Sequence, residues 1–317
     1  MTESANDDVR ATGQPDDSVR LIPIATPSGE FRVWTRTVGD SPGIKLLLLH
    51  GGPGATHEQF ENSSGYLLPA GIEHIYYDQL GSWYSDQPDD PTLWEIDRFV
   101  DEVEQVRRAL ALDRSNFFLL GQSWGGILAI EYALRHQEHL KGLVISNMMS
   151  SCPAYNAYAR DVLMPAMDQG ALAEIKGFEA SGDTDNPRYT ELLIEHHYRH
   201  HVLRLPPDQW PEPIQRLFAH INPKVYVPMQ GPSELGLSGT LSDWDRTEEL
   251  AKIEVPTLVI GARHDTMDPR WMRMMAGRLP KGHYLECPNG GHLANWDDAD
   301  VYFAGLVDFL TNAGRSS

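Results

Sequence analysis

The run Gly121-Gln122-Ser123-Trp124-Gly125 matches G-x-S-x-G and follows the apolar stretch at 117–120. A serine on a sharp strand-to-helix turn has strained dihedrals and close neighbours, so side chains at the flanking glycines would collide. The helix amino terminus beneath Ser123 would stabilise developing negative charge. The bare pattern arises by chance, but between a strand and a helix it is specific. A serine hydroxyl is a weak nucleophile and needs a base, and the base needs a group to orient it. On such a turn the partners follow in the order serine, acid, histidine. Asp265 closes Gly261-Ala-Arg-His-Asp265 just after the run at 257–261, and His292 lies in Pro288-Asn-Gly-Gly-His292. Asp268 is the nearest rival acid, but it precedes Pro269 and also suits a helix cap. His264 and His283 are the rival bases. Asp265 stands nearer the strand end, and glycines give the loop of His292 freedom to reach Ser123. The chemistry implied is acyl transfer through a covalent intermediate.

His50-Gly51-Gly52-Pro53-Gly54 follows the run at 44–49. A glycine-rich loop after a strand can cradle phosphate, but no Lys-Ser/Thr pair follows and no G-x-G-x-x-G opens a helix here. The remaining reading is an oxyanion loop, with the backbone N–H of Gly52 paired with that of Trp124. Each such donor typically contributes about 3–4 kcal/mol to acyl transfer. The run Glu195-His-His-Tyr-Arg-His-His201 spaces His196 from His200 and His197 from His201 by four residues, a spacing that chelates zinc. No Glu follows the first histidine of either pair and no carboxylate or cysteine cluster is near in sequence, so a polar helix face is expected and no metal site.

These residues need a scaffold that brings three distant segments to one edge. Alternating residues at 21–38 around Ser28-Gly29 predict an opening antiparallel hairpin. Apolar runs at 44–49, 72–77, 116–120 and 140–145 predict strands, and helical spacing covers 93–112 and 123–136. Strands without alternation, separated by helices, indicate a parallel sheet buried on both faces. The segment 150–245 holds helical stretches, many prolines and no strand pattern. Strand rhythm returns at 256–261 and near 283–287, with helices at 269–279 and 298–310. The expected organisation is an acidic disordered leader at 1–19, a sheet core at 20–147 and 246–317, and a helical cap at 148–245.

The chain has 317 residues, 41% of them apolar and 22% charged, enough to bury one large core with an inserted lobe. No apolar run approaches the length of a membrane span. The first twenty residues carry Asp7, Asp8, Asp16 and Asp17 instead of a basic-then-apolar signal, so a cytoplasmic enzyme is the default expectation. Two cysteines, Cys152 and Cys287, fit no metal spacing or disulfide framework and read as separate thiols. Twenty-six basic against forty-five acidic residues give a formal charge of −19, which disfavours nucleic acid and anionic membrane as partners and suits solubility or cationic ligands.

Taken together, His50-Gly-Gly-Pro-Gly54, Tyr77-Asp-Gln-Leu-Gly81, Gly121-Gln-Ser-Trp-Gly-Gly126 and Gly231-Pro-Ser-Glu234 resemble the proline iminopeptidases (prolyl aminopeptidases) and related amino-acid amidases. The likeness covers nearly the whole chain from about residue 20. It implies an α/β-hydrolase fold, a mostly parallel central sheet with an inserted helical cap, working without a cofactor. It also implies release of an N-terminal residue, often proline, from small peptides, amides or arylamides. In that family carboxylates near the cap grip the substrate's cationic amine, and Glu234 matches one of them. A second carboxylate often follows the triad aspartate, but Thr266 stands there in this chain. Losing one charge-assisted hydrogen bond would weaken amine recognition roughly ten- to hundredfold unless another carboxylate, such as Glu195, substitutes. The continuation after Asp-Gln-Leu-Gly81 is also altered, to Ser82-Trp83-Tyr84.

The reading is a serine aminopeptidase with Ser123 as nucleophile, His292 as base, Asp265 as orienting acid, Gly52 and Trp124 as oxyanion donors and Glu234 as amine ligand. Two other readings stand beside it. One keeps the triad but takes amides or esters without a free amine, motivated by Thr266. The other is a catalytically inactive fold that binds a ligand.

Overall fold

Leu46 and Leu48 pack into one apolar cluster and Leu47 and Leu49 into another, so four consecutive leucines of a single strand feed both faces of a sheet. The same division sends Leu119 and Leu143 to one face and Phe118, Leu120 and Val144 to the other. In the computed structural model, which describes residues 18–315, this gives an eight-stranded sheet. The strands are β1 (Val19–Thr26), β2 (Gly29–Val38), β3 (Lys45–Leu49), β4 (Glu73–Asp78), β5 (Phe117–Gln122), β6 (Gly142–Ser146), β7 (Thr257–Ala262) and β8 (Gly282–Cys287). Their order is β1-β2-β4-β3-β5-β6-β7-β8. β1 pairs antiparallel with β2 and β2 with β4; every other pairing is parallel. The expected hairpin is there, with Thr26 opposite Gly29. Residues 1–17 of the expected leader lie outside the described residues, and Val19 already pairs with Arg36.

Helices Ile96–Ala109 and Trp124–His136 cover the face built on Val103, Val106, Ile127 and Ile130, and helix Ala299–Arg315 covers the other with Tyr302, Phe303 and Leu306. The helix expected at 93–112 is shorter than its apolar spacing suggests. Pro91 opens a separate 3-10 turn, Pro91–Leu93, and Ala111 takes φ 51, which the helix cannot continue through. The last helix runs five residues beyond the expected 310.

Between β6 and β7 the described residues 148–245 form helices and one isolated bridge, Ser151 to Asp245, which joins the two ends of the insertion. This segment has its own apolar cluster around Ile175, Leu192, Leu203 and Ile214, which also takes in Ala55 and Leu293 from the sheet domain. Polar ties add to it. Arg216 pairs with the fully buried Glu58 and, at 2.7 Å, with Glu61, while His220 lies 3.0 Å from Glu58. Trp83, in the altered Ser82-Trp83-Tyr84 segment, stacks on His220 with ring centres 3.5 Å apart. No helix among the described residues is long and apolar enough to cross a membrane.

Candidate active site

The serine turn is forced by its glycines. A Cβ on Gly121 would sit 1.9 Å from the carbonyl oxygen of Gly125, and one on Gly125 would sit 2.2 Å from that of Leu49. With both positions bare, β5 passes directly into helix Trp124–His136 and Ser123 adopts φ 55, ψ −127. A non-glycine residue held at positive φ costs of order 1–3 kcal/mol, tolerated where the surroundings over-determine it. Ser123 N–H donates to Ser146 O at 3.1 Å, which fixes the turn on the neighbouring strand.

Asp265 and His292 arrive from the loops after β7 and β8, the next two strands. The carboxylate Oδ1 accepts from His292 Nδ1 at 2.8 Å and from the Met267 N–H at 3.1 Å. Both residues are buried. With Nδ1 donating to Asp265, Nε2 keeps the lone pair, and this buried Nε2 has no hydrogen-bond partner among the described residues. Ser123, His292, Gly52 and Glu234 line one cavity of about 50 Å³. Burial works to lower the His292 pKa, but the charge and hydrogen bond of Asp265, helped by Glu234 and Asp297, outweigh it and leave the imidazole above its ordinary value. Asp268 serves elsewhere, accepting the Arg270 N–H as the cap of helix Pro269–Arg278. Neither His264 nor His283 lines the cavity; His283 lies on the edge strand β8.

The loop after β3 brings Gly52, at φ +105, to the same cavity, where a Cβ would meet Ala55 N at 2.6 Å. His50 holds this loop, with Nδ1 2.9 Å from Gly51 O and Nε2 accepting the Gln79 N–H at 3.1 Å. Burial pushes the His50 pKa down to about 4, so the ring is neutral. Trp124 is the first residue of its helix, where a backbone N–H has no intrahelical acceptor. Its indole Nε1 donates to Gln79 Oε1 at 2.8 Å.

Glu234 faces the cavity from the helical segment, and Tyr226 O–H donates to its Oε1 at 2.5 Å. The Glu234 carbonyl accepts from Tyr155 O–H at 2.8 Å and from His197 Nε2 at 3.1 Å. Burial drives the phenols of Tyr226 and Tyr155 well above their ordinary pKa, so both stay donors. A second cavity of about 420 Å³, lined by Tyr189, Tyr198, Trp210 and Phe218, adjoins the first across Tyr226 and Glu234.

Thr266, in the place of the family's second carboxylate, does not line the cavity; its Oγ1 lies 3.3 Å from Asp265 Oδ1 and 3.2 Å from His292 Nδ1. Glu195 does not replace it, because its side chain is 61% exposed, beside His196 and outside the cavity lining. Nor do the four histidines form a plain helical face. His197 is fully buried in a π-helical turn, Ile194–Tyr198, and His201 Nδ1 lies 2.9 Å from His264 O.

Four residues at the site carried no signal that sequence reasoning used: Gln59, Gln122, Asn147 and Tyr226. Gln122 occupies the variable position before the serine. It donates to His292 O at 2.9 Å and accepts from Gln59 Nε2 at 3.0 Å, while Gln59 Oε1 accepts the Gly51 N–H at 2.9 Å. The chain of bonds ties the histidine loop to the glycine loop. A larger cleft, about 870 Å³ between β8 and the last helix, holds neither Ser123 nor His292.

A family model described as alpha/beta hydrolase fold matches residues 45–299. Over 292 residues the chain is 52% identical to a proline iminopeptidase of Flavobacterium johnsoniae, covering 92% of this chain and 98% of the relative. It is also 52% identical over 299 residues to one from Elizabethkingia meningoseptica, covering 94% and 99%. Among solved structures, VinJ superposes with a TM-score of 0.85 at 29% identity, covering 93% of this chain and 99% of that one. The proline iminopeptidase of Mycobacterium smegmatis gives 0.82 at 30%, covering 94% and 99%.

Proposed function

This chain belongs to the proline iminopeptidase family of α/β-hydrolases, and from that premise we propose the route by which it releases an N-terminal residue, proline favoured, from small peptides, amides or arylamides. Ser123 attacks the carbonyl of the N-terminal residue while His292 Nε2 takes its proton. Asp265 holds the tautomer in which Nε2 is the acceptor and stabilises the imidazolium that forms. The backbone N–H groups of Gly52 and Trp124 receive the tetrahedral oxyanion, each contributing about 3–4 kcal/mol. The imidazolium then protonates the leaving amine, and water, activated by the same ring, releases the acyl group from Ser123. Glu234 binds the substrate ammonium, with Tyr226 orienting its carboxylate. The steps call on no cofactor. The sheet core at 20–147 and 246–317 supplies the catalytic groups and the cap at 148–245 supplies the amine ligand.

One observation carries the reading. A histidine bonded to a carboxylate through Nδ1, its buried Nε2 without a hydrogen-bond partner among the described residues, lines a cavity together with Ser123, Gly52 and Glu234. In unliganded sites the serine–histidine bond is commonly long and tightens with substrate. The relatives' shared name favours an aminopeptidase over both other readings, the hydrolase of amine-free substrates and the inactive binder. We place the enzyme in the cytoplasm, supported by two buried, unpaired cysteines. The test is turnover of prolyl and alanyl arylamides, free and N-acetylated, by the wild type and Ser123→Ala. The free prolyl compound should be hydrolysed by the wild type alone. Equal rates in both proteins would remove the nucleophile, and equal rates on free and acetylated compounds would remove the amine requirement.

A further inference from the structure

Asn147 directly follows β6 and is fully buried, with φ 50. Its Nδ2 donates to Asp265 Oδ2 at 2.7 Å and to Gly291 O at 3.2 Å, so both amide hydrogens are used. The amide cannot flip without loss, because Oδ1 accepts from Ser146 Oγ at 2.8 Å and that hydroxyl is 3.0 Å from Tyr302 Oη. The same dipeptide reaches the third segment, since Ser146 O accepts the Ser123 N–H. Asn147 N–H donates to Ile260 O at 2.8 Å and fixes the dipeptide against β7. Ser146-Asn147 therefore touches the chain at the nucleophile, the acid and the residue before the base.

The two oxygens of Asp265 are served differently. Oδ1 meets His292 Nδ1, the Met267 N–H and Thr266 Oγ1, whereas Oδ2 is held by Asn147. Without that second anchor the carboxylate can rotate and carry Oδ1 away from the ring. Left-handed backbone at position 147 explains why asparagine is tolerated, but glycine would satisfy that need as well. What glycine lacks is a donor aimed at the carboxylate.

We propose that Asn147 is a positioning residue of the hydrolytic site, holding Asp265 and the Gly291-His292 turn in the mutual geometry that base catalysis requires. The proposal rests on the triad reading above. Asn147→Gly keeps the backbone and deletes the donor; Asn147→Asp keeps the shape and replaces the donor with a negative charge. The groups already facing His292 are Asp265, Glu234, Asp297 and, from the helical segment, His197. A further carboxylate beside Asp265 favours the imidazolium.

The test uses prolyl arylamide turnover per active site, counted by fluorophosphonate titration, together with thermal melts. Asn147→Gly should lose about ten- to a hundredfold in kcat with KM within about twofold. Asn147→Asp should move the acid limb of kcat/KM to higher pH. If both variants merely melt earlier while kcat per titrated site and the acid limb stay at wild-type values, Asn147 is structural and the proposal falls. Ser123→Ala separates the two levels: if that variant still turns over substrate, the triad reading itself is wrong, whereas an inactive Ser123→Ala beside unmoved Asn147 variants sinks only the positioning role.

Discussion

Replacing Glu234 by glutamine keeps the size of the side chain and removes its charge, and the surroundings define what should follow. Tyr226 already occupies Oε1, so Oε2 is the atom left for a substrate ammonium. Thr266 is turned into the Asp265–His292 pair and Glu195 is out in solvent, so neither supplies a second carboxylate. Loss of one charge-assisted hydrogen bond of about 1.5–3 kcal/mol lowers kcat/KM for a free prolyl arylamide roughly ten- to hundredfold. The ammonium is bound alike in the ground and transition states, so the loss should fall mainly on KM. Glu234 also helps to raise the His292 pKa, and its neutralisation should shift the acid limb of the pH profile downward. The assay is steady-state kinetics from pH 5 to 9 on prolyl arylamide and on an amine-free aryl ester. The ester should lose nothing in KM. An equal loss on both substrates, or an unchanged preference for the free amine, would refute the assignment of Glu234.

The wild-type acid limb should lie above the ordinary histidine value near 6.5, because Asp265 outweighs burial at His292; kcat/KM is lost as pH falls and the base becomes protonated, and a pH–rate profile locates the limb. Gly125→Ala puts a Cβ 2.2 Å from Leu49 O and 2.8 Å from His50 O, so about 3 kcal/mol or more of stability should disappear, read by urea unfolding. Asp297, whose carboxylate accepts the N–H groups of Gly291 and Arg204, has its pKa pushed by burial up to about 7. The native state therefore holds a proton that the unfolded chain releases near pH 4, and this contribution to stability falls as pH rises from about 4 to about 7. Asp297→Asn should flatten that slope in melts across the range.

The sheet was legible because strands buried on both faces carry uninterrupted apolar runs, as at 46–49 and 258–262, and because turns need particular residues. The serine turn could be read for the same reason: Gly121 and Gly125 stand where backbone oxygens leave no room for a side chain. Helix ends were less legible. Ile96–Ala109 stops short of its apolar spacing because residue 111 turns to positive φ, a choice that side-chain periodicity does not encode. The π-helical turn at Ile194–Tyr198 likewise altered the face that the i,i+4 histidines would have shared.

The sequence by itself determined the serine turn, the glycine loop and the candidates for acid and base, since each depends on local sterics and on order along the chain. Position along the chain favoured Asp265 over Asp268; the tertiary structure set Asp265 against His292 Nδ1 and Asp268 at a helix cap, turned Thr266 toward the Asp265–His292 pair, and revealed Asn147 and Gln122 as links between loops. The two links rest on hydrogen bonds between residues more than a hundred positions apart, Asn147 to Asp265 and Gln122 to His292. A donor and an acceptor of that kind have no signature in spacing, because their meeting is fixed by the pairing of β5, β6 and β7 and not by either segment alone.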